Sequence, residues 1–406
     1  MRRGIYFVLF MLLALPQMAA GQGNKELQKQ LDQVLKSYVD SAWIPGAVLQ
    51  VQYQGNVVYQ KAVGYAARFD LQGKELKKPE PLRISHLYDI ASLTKVIGTT
   101  TAIMLLTDQG KLHPDDFVSK YIPAFNEADK KEITIRHLLT HTAGLFEWYP
   151  LYYRANTKTA TYELIARLPL RYPVGKERHY SDLGFVLLGQ IIETVSGESM
   201  DVFERVNIFQ PLGMKHTLYT PVNFNYKGPV APTSFGNPYE YRMVHDSSLG
   251  FVYKEINPAQ WTGWRKHQLR GEVNDGNCWY ACGGVNGAAG LFSVAGDLQL
   301  LVNMLLSDKG VLISKRTRDL FLTKDRFNNG LGWMMDPANS FMKNAPAGSF
   351  GHTGFTGTSI AVVPAKKLSV ILLVNRQQRG LLPSKEYYNL NPLRRQVFET
   401  CLQYLK

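Results

Sequence analysis

The chain has 406 residues, 45% of them hydrophobic and 19% charged, with 22 Tyr and 19 Phe, a composition that excludes an extended disordered polymer. Its formal net charge is +13, but the basic residues are scattered without an arm or stripe, so nucleic acid is not an expected partner. Three cysteines, Cys278, Cys282 and Cys401, are too few for a disulfide scaffold and lack the paired spacing of a zinc site. Cys278 and Cys282 are either a pair or two buried thiols.

In chain order, the N-terminus reads as a secretory signal over residues 1–21. Arg2 and Arg3 form the charged region, Ile5 to Leu15 the apolar region, and Ala19-Ala20-Gly21 the small-residue cleavage site. The apolar run of about eleven residues is short of the roughly twenty that span a bilayer. The expected mature chain is therefore exported to the periplasm or exterior, with no membrane span once the signal is removed. Residues 24–40 carry helical periodicity, with Leu27, Leu31, Val34, Leu35 and Tyr38 on one face. Pro45-Gly46 breaks the chain, and Ala47 to Tyr53 and Val57 to Val63 predict two strands around a tight Gln54-Gly55-Asn56 turn. A helix is predicted from Ser92 to Asp108, stopped by Gly110, and another from Leu183 to Val195. The stretch 112–345 reads mostly as short helices and loops punctuated by Gly and Pro. Strands return at Thr358 to Val363 and Leu368 to Asn375, and Pro392 opens a closing helix that reaches Tyr404.

Strands joined by short turns imply an antiparallel sheet, not a doubly wound parallel one. The expected fold is α/β of the α+β type, an antiparallel sheet flanked by N- and C-terminal helices with an inserted, mostly helical lobe. Residues 22–406 then form one domain, with a sheet part at about 22–90 and 346–406 and the helical lobe at about 91–345. The cleft between the two parts is the expected place for chemistry.

The sharpest chemical feature is Ser92-Leu93-Thr94-Lys95 at a helix start. Residues three apart share a helix face, so the Lys95 amine can reach the Ser92 hydroxyl, which needs an adjacent base to become nucleophilic. A bare S-x-x-K is expected about once by chance in a chain this long. A second copy, Ser340-Phe341-Met342-Lys343, follows Pro337-Ala338-Asn339 with no helix onset and carries no such meaning. Further along, Tyr180-Ser181-Asp182 precedes an amphipathic helix, and His352-Thr353-Gly354 precedes a late strand. His137 and His141 stand at a metal-ligand spacing without the Glu of an H-E-x-x-H motif, so a hydrogen-bonded structural role outweighs metal binding, and no metal or cofactor is expected.

The ordered set S-x-x-K, Tyr180-Ser181-Asp182, His352-Thr353-Gly354 resembles the serine β-lactamase, DD-peptidase and related esterase family. His137-Leu138-Leu139-Thr140-His141-Thr142-Ala143-Gly144-Leu145, Gly290-Leu291-Phe292-Ser293 and Gly330-Leu331-Gly332-Trp333 extend the likeness over nearly all of the mature chain. The resemblance implies that Ser92 attacks a carbonyl while Lys95 accepts or shuttles its proton. Tyr180, alone or coupled to Lys95, would protonate the leaving group and activate water. It also assigns substrate or oxyanion contacts to Asp182, His352, Thr353, Gly354 and Phe355, with the Ser92 and Phe355 N–H groups as oxyanion donors.

Two positions depart from the family pattern. Asp182 stands where the second motif usually has Asn; a carboxylate there raises the Lys95 pKa and shifts the expected base toward Tyr180. His352 replaces the usual lysine of the third motif with a group that is neutral at pH 7. Both changes make the pocket less positive, which disfavours carboxylate-bearing β-lactams unless Arg376 or Arg379 restores charge. The segment Gly271-Glu272-Val273-Asn274-Asp275-Gly276-Asn277 resembles a loop of a subgroup that includes enzymes linked to cell-wall recycling, with Asn274 where that subgroup has His. The expected function is an exported serine hydrolase of the cell envelope, an esterase or D-amino-acid peptidase-like enzyme acting on a small-molecule or peptidoglycan-derived substrate. A non-catalytic penicillin-binding-like sensor or peptidoglycan-binding module, and a β-lactamase, are the alternatives. Oligomeric state is not legible.

Overall fold

The computed structural model describes residues 25–127, 129–335 and 340–405, so the signal sequence expected at the N-terminus lies outside the described residues. Helix α1 (25–40) leads into strands β1 (Gly46–Tyr53), β2 (Asn56–Phe69) and β3 (Glu75–Pro81), followed by the short β4 (Tyr88–Asp89). The middle of the chain holds α2 (Thr101–Asp108), α3 (Ile135–Leu139), α4 (Lys158–Arg167), α5 (Asp182–Ser196), α6 (Met200–Glu204), β5 (Leu218–Tyr219), α7 (Pro238–His245), β6 (Leu291–Ser293), α8 (Ala295–Leu306) and α9 (Lys315–Phe321). The chain closes with β7 (Phe350–Thr353), β8 (Ser359–Val363), β9 (Leu368–Val374) and α10 (Asn391–Tyr404).

Six strands form one antiparallel sheet in the order β3-β2-β1-β9-β8-β7, so the first and last parts of the chain meet at β1 and β9. Register at that seam runs from Ala47 opposite Val374 to Tyr53 opposite Leu368. Period-two alternation sorts the side chains onto two cores. Ala47, Leu49, Val51, Leu368, Val370, Leu372 and Val374 face the terminal helices and pack with Leu27, Leu31, Leu35, Val397 and Phe398. Val48, Ile371, Leu373, Ile360 and Val362 face the other way and join the helical middle, where Ile103, Leu106, Leu183, Leu187 and Leu298 are fully buried. A second sheet, β4-β6-β5, ties the chain just before Ser92 to the segment ending at Ser293.

The antiparallel sheet with flanking helices agrees with the sequence expectation, but several details do not. β2 runs six residues beyond Val63 to Phe69, and β3, β7 and the small sheet lie where no strand was expected. Their sequences explain this: β3 is Glu-Leu-Lys-Lys-Pro-Glu-Pro, an exposed edge strand whose charges and prolines hide the strand signal. The single helix expected over Ser92 to Asp108 is instead a tight 3₁₀ turn at Ala91–Leu93, a wide π-helical turn at Lys95–Thr100, and then α2. Cys278, Cys282 and Cys401 are all buried free thiols.

Candidate active site

The site begins with strain beside Ser92. Ala91 holds a left-handed φ of 46°, unusual for a residue with a Cβ. Its N–H is held by Asp89 Oδ1 at 2.8 Å, while Asp89 Oδ2 accepts from Asn274 N at 2.7 Å. The chain therefore turns sharply from β4 into the 3₁₀ turn, and Ser92 stands half-buried in the wall of a cleft of about 520 Å³. The π-helical turn that follows is the kind of local widening often found at functional sites. It carries Lys95 inward until the side chain is fully buried.

Lys95 Nζ donates to Ser92 Oγ at 3.0 Å and to the Ala288 carbonyl at 2.9 Å, and pairs with Asp182 Oδ1 at 2.7 Å. Asn286 shapes the turn that offers the Ala288 carbonyl, its Oδ1 accepting from the N–H groups of Ala288 and Ala289 at 2.8 and 3.0 Å. The Tyr180 hydroxyl engages both Ser92 and Lys95, and the Lys95 ammonium sits 5.2 Å from the Tyr180 ring centre. Burial, the largest single influence, would push Lys95 down, but Asp182 and Tyr180 together outweigh it and hold the ammonium above the ordinary lysine range. Burial pushes the Tyr180 phenol up, Asp182 pushes the same way, and Lys95 and Ser92 oppose both. The resting set is an ammonium between a carboxylate and a neutral phenol.

The α5 N-terminus fixes this group. Ser181 caps the helix by accepting from Gly184 N at 3.3 Å and donates to the Phe146 carbonyl at 2.6 Å. His141 accepts from Ser181 N at 3.0 Å through Nδ1 and lies against the Tyr180 ring at 4.4 Å between centres. His137 instead serves a capping box at α3, accepting from Thr134 N at 3.1 Å. The two histidines thus do separate hydrogen-bonding work.

The third motif lies beside Ser92. Thr356 and Thr358 hydroxyls donate to the Asp89 and Ile90 carbonyls at 2.7 and 3.1 Å, clamping the β7–β8 turn onto the strand that precedes the 3₁₀ turn. Gly354 is required there, because a Cβ would collide with the Ile90 carbonyl and the Thr358 hydroxyl. Thr353, Gly354 and Phe355 line the cleft, with Phe355 43% exposed at its mouth. His352 does not line it among the described residues; it is 2% exposed, donates from Nδ1 to the Thr353 carbonyl at 2.9 Å, and stands 6.2 Å from the Tyr180 ring. Burial first, and Lys95 second, push its pKa down to about 3, so it is a neutral imidazole. His352 is thus placed in the layer behind the residues that line the cleft, beside Tyr180.

Sequence reasoning underestimated the positive charge in the cleft. Arg376 lines it, stacked 5.1 Å from Phe355 and 5.4 Å from Tyr387, with its guanidinium donating to the Phe355 carbonyl. Arg379 points elsewhere, donating to the Ala42 carbonyl at 3.0 Å. Arg394 on α10, which no motif singled out, also lines the cleft and donates to the Thr358 carbonyl at 3.0 Å. Burial lowers Arg376 to about 10 and Arg394 to about 9, leaving both cationic at neutral pH. The loop from Gly271 to Asn277 supplies Asn274 and Asp275 to the same cleft, and Glu240 on α7 joins them.

A family model described as Beta-lactamase matches residues 31–391. The N-acetylmuramyl-L-alanine amidase of Bacillus subtilis (strain 168) is 31% identical over 391 residues, covering 90% of this chain and 85% of that protein. A protein of Escherichia coli (strain K12) named for D-alanyl-D-alanine carboxypeptidase activity is 32% identical over 379 residues, covering 87% and 83%. Among solved structures, EstCE1, a hydrolase with promiscuous acyltransferase activity, superposes with a TM-score of 0.66 at 23% identity, covering 92% of this chain and 99% of that one. The chain belongs to the β-lactamase family of serine hydrolases, with relatives named as a carboxypeptidase and an amidase.

Proposed function

We propose that this protein is an exported serine hydrolase of the cell envelope that cleaves an amide bond in small peptidoglycan-derived peptides through a Ser92 acyl-enzyme. The observation that carries the reading is the convergence on one cleft of Ser92, Lys95 at 3.0 Å from its hydroxyl, and Tyr180 engaged with both. Ser92 Oγ attacks the amide carbonyl, and its proton passes to the Tyr180–Lys95 pair in the form that has lost one proton. The Ser92 and Phe355 N–H groups hold the oxyanion, each contributing roughly 3 kcal/mol. The pair then gives its proton to the leaving nitrogen as the C–N bond breaks. Water repeats the sequence in reverse, leaving a carboxylate product and a protonated Ser92. His352 acts as a neutral support for Tyr180.

Arg376 and Arg394 favour a substrate with a carboxylate, which moves the reading from a simple esterase toward a peptidase or amidase. The names of the amidase and carboxypeptidase relatives point to the same substrate class. In this reading residues 1–21 are removed on export, and about 22–90 with 346–406 and the lobe 91–345 work as one catalytic domain. The test is mass spectrometry of products from a pentapeptide ending in D-alanyl-D-alanine, an N-acetylmuramyl-L-alanyl peptide, and p-nitrophenyl butyrate. Cleavage of either peptide that is lost in Ser92→Ala supports the proposal. Turnover of the ester alone returns the esterase reading, and turnover of none returns the binding-module reading.

A further inference from the structure

Asp89 stands three residues before Ser92, in Tyr88-Asp89-Ile90-Ala91-Ser92, and has no role in the chemistry above. It is 1% exposed, and its two carboxylate oxygens are both taken by backbone N–H groups, Ala91 N at 2.8 Å and Asn274 N at 2.7 Å. Burial, the largest influence, raises its pKa to about 6 while the Asn274 and Ala91 N–H bonds oppose the rise, so at neutral pH it is largely ionised and both oxygens accept. A carboxylate this deep costs stability unless its oxygens are used, and an amide in its place would offer an acceptor on one side only. What it holds is Ala91 in the left-handed region at φ 46°, a conformation that side chains with a Cβ rarely adopt. Because the peptide unit is planar, the Ala91 conformation sets the direction of the Ser92 N–H.

The backbone of the same residue reaches the other oxyanion donor. The Asp89 carbonyl accepts from the Thr356 hydroxyl at 2.7 Å, and Thr356 follows Phe355 in the turn closed by the Gly357 N–H on the Gly354 carbonyl at 3.0 Å. Thr356 is 1% exposed, and neither it nor Asp89 is among the residues that line the cleft. Their bond spans 267 positions of the chain, so the two donors meet through tertiary structure alone. We propose that Asp89 and Thr356 are positioning residues for the oxyanion hole, the Asp89 side chain setting the Ser92 N–H and the Thr356 hydroxyl setting the Phe355 N–H against the same residue. The inference rests on the acyl-enzyme reading. Each residue acts through a backbone N–H, where a displacement of about 1 Å costs up to about a hundredfold in rate.

The experiment measures saturation kinetics of fluorophosphonate labelling at Ser92 in wild type, Asp89→Asn, Asp89→Asn with Ala91→Gly, Thr356→Val and Thr356→Ser. Each rate is referred to the folded fraction from circular dichroism. The maximal rate should fall about tenfold or more in Asp89→Asn and in Thr356→Val, while the half-saturating concentration moves by less than about threefold, because the donors act on the transition state. Thr356→Ser keeps the hydroxyl and should stay within about threefold of wild type. Glycine takes a left-handed φ without a side-chain clash, so adding Ala91→Gly to Asp89→Asn should raise the rate again by about threefold or more. Where Asp89→Asn does not fold, the near-isosteric Thr356→Val and its Thr356→Ser control carry the test. Wild-type maximal rates in Asp89→Asn or in Thr356→Val, a loss confined to the half-saturating concentration, or no recovery on adding Ala91→Gly each overturn the proposal. A wild type that gives no Ser92 adduct refutes the acyl-enzyme reading and this inference with it, whereas a wild type that labels alongside variants that label equally fast refutes this inference alone.

Discussion

Asp182→Asn isolates the departure that most affects the chemistry. The carboxylate sits 2.7 Å from Lys95 Nζ, and it raises both Lys95 and Tyr180, so the expected result does not depend on which of the two accepts the Ser92 proton. Two unit charges 4 Å apart interact by about 4 kcal/mol at an effective dielectric of about 20. The Asp182 side chain is 26% exposed. Screening removes about half of that interaction, leaving about 2 kcal/mol, or about 1.5 pKa units. Lys95 is not orphaned by the change, because Ser92 Oγ and the Ala288 carbonyl still accept from it and the introduced amide retains an acceptor oxygen. The assay is the rate of Ser92 modification by a fluorophosphonate between pH 5 and 10. The rising limb should move down by about 1.5 units, making the variant roughly thirtyfold faster at pH values on the wild-type limb. A limb that stays in place, or moves up, refutes the electrostatic coupling of Asp182 to the base.

Further outcomes follow from the same contacts. Because Glu240 is raised to about 8, its burial favours folding fully below the unfolded value near 4.5 and progressively loses that advantage as pH climbs through 8. Glu240→Gln should therefore raise Tm relative to wild type at pH 9, and the gain should shrink as pH falls to 6; a gain that grows on acidification contradicts the assignment. His352 is held at about 3, so kcat/KM should show no inflection from it between pH 5 and 8, and wild type and His352→Gln should share the same profile shape there. At Gly98 a Cβ would lie 2.7 Å and 2.8 Å from atoms of the buried Glu204 carboxyl, behind the π-helical turn. Gly98→Ala should cost about 1–3 kcal/mol in chemical denaturation. It should also slow fluorophosphonate labelling of Ser92; unchanged stability and labelling would show that the turn yields freely. Leu49→Ala, in the core shared with α1 and α10, should cost about 2–5 kcal/mol and leave the labelling rate of the folded protein unaltered.

Much of the architecture was legible because it rests on strong local signals. The short apolar, β-branched runs of β1 and β9, the apolar stripe of α5 with Ser181 as its cap, and Pro392 at the first turn of α10 each specify an element within its own segment. Elements set by tertiary contact were not legible. β3 is an exposed charged edge that pairs only because β2 extends beside it, and β4, β5 and β6 are two or three residues long. The π-helical turn has no sequence signature of its own; it follows from the Asp89–Ala91 contact, the room at Gly98 and the Thr99 bond to the Gly287 carbonyl at 2.7 Å. Within the site, Ser92 and Lys95 were nominated by spacing and Tyr180 and Asp182 by the family resemblance, and the structure brings them together in one hydrogen-bonded group. Arg394 and Glu240 lie in no motif, and only the packing of α10 and α7 against the cleft brings them into it. His352 was legible as part of the motif but not as a buried supporting group, since sequence alone does not say which side of β7 faces the cleft.

The most direct test of the central claim is the intact mass of the protein after rapid acid quenching with a fluorophosphonate and with a cleavable peptide amide, in wild type and in Ser92→Ala. The account predicts one covalent adduct per chain in wild type, mapping to the peptide that contains Ser92, and none in the variant. An adduct that persists in Ser92→Ala, or peptide hydrolysis that continues without Ser92, would contradict it.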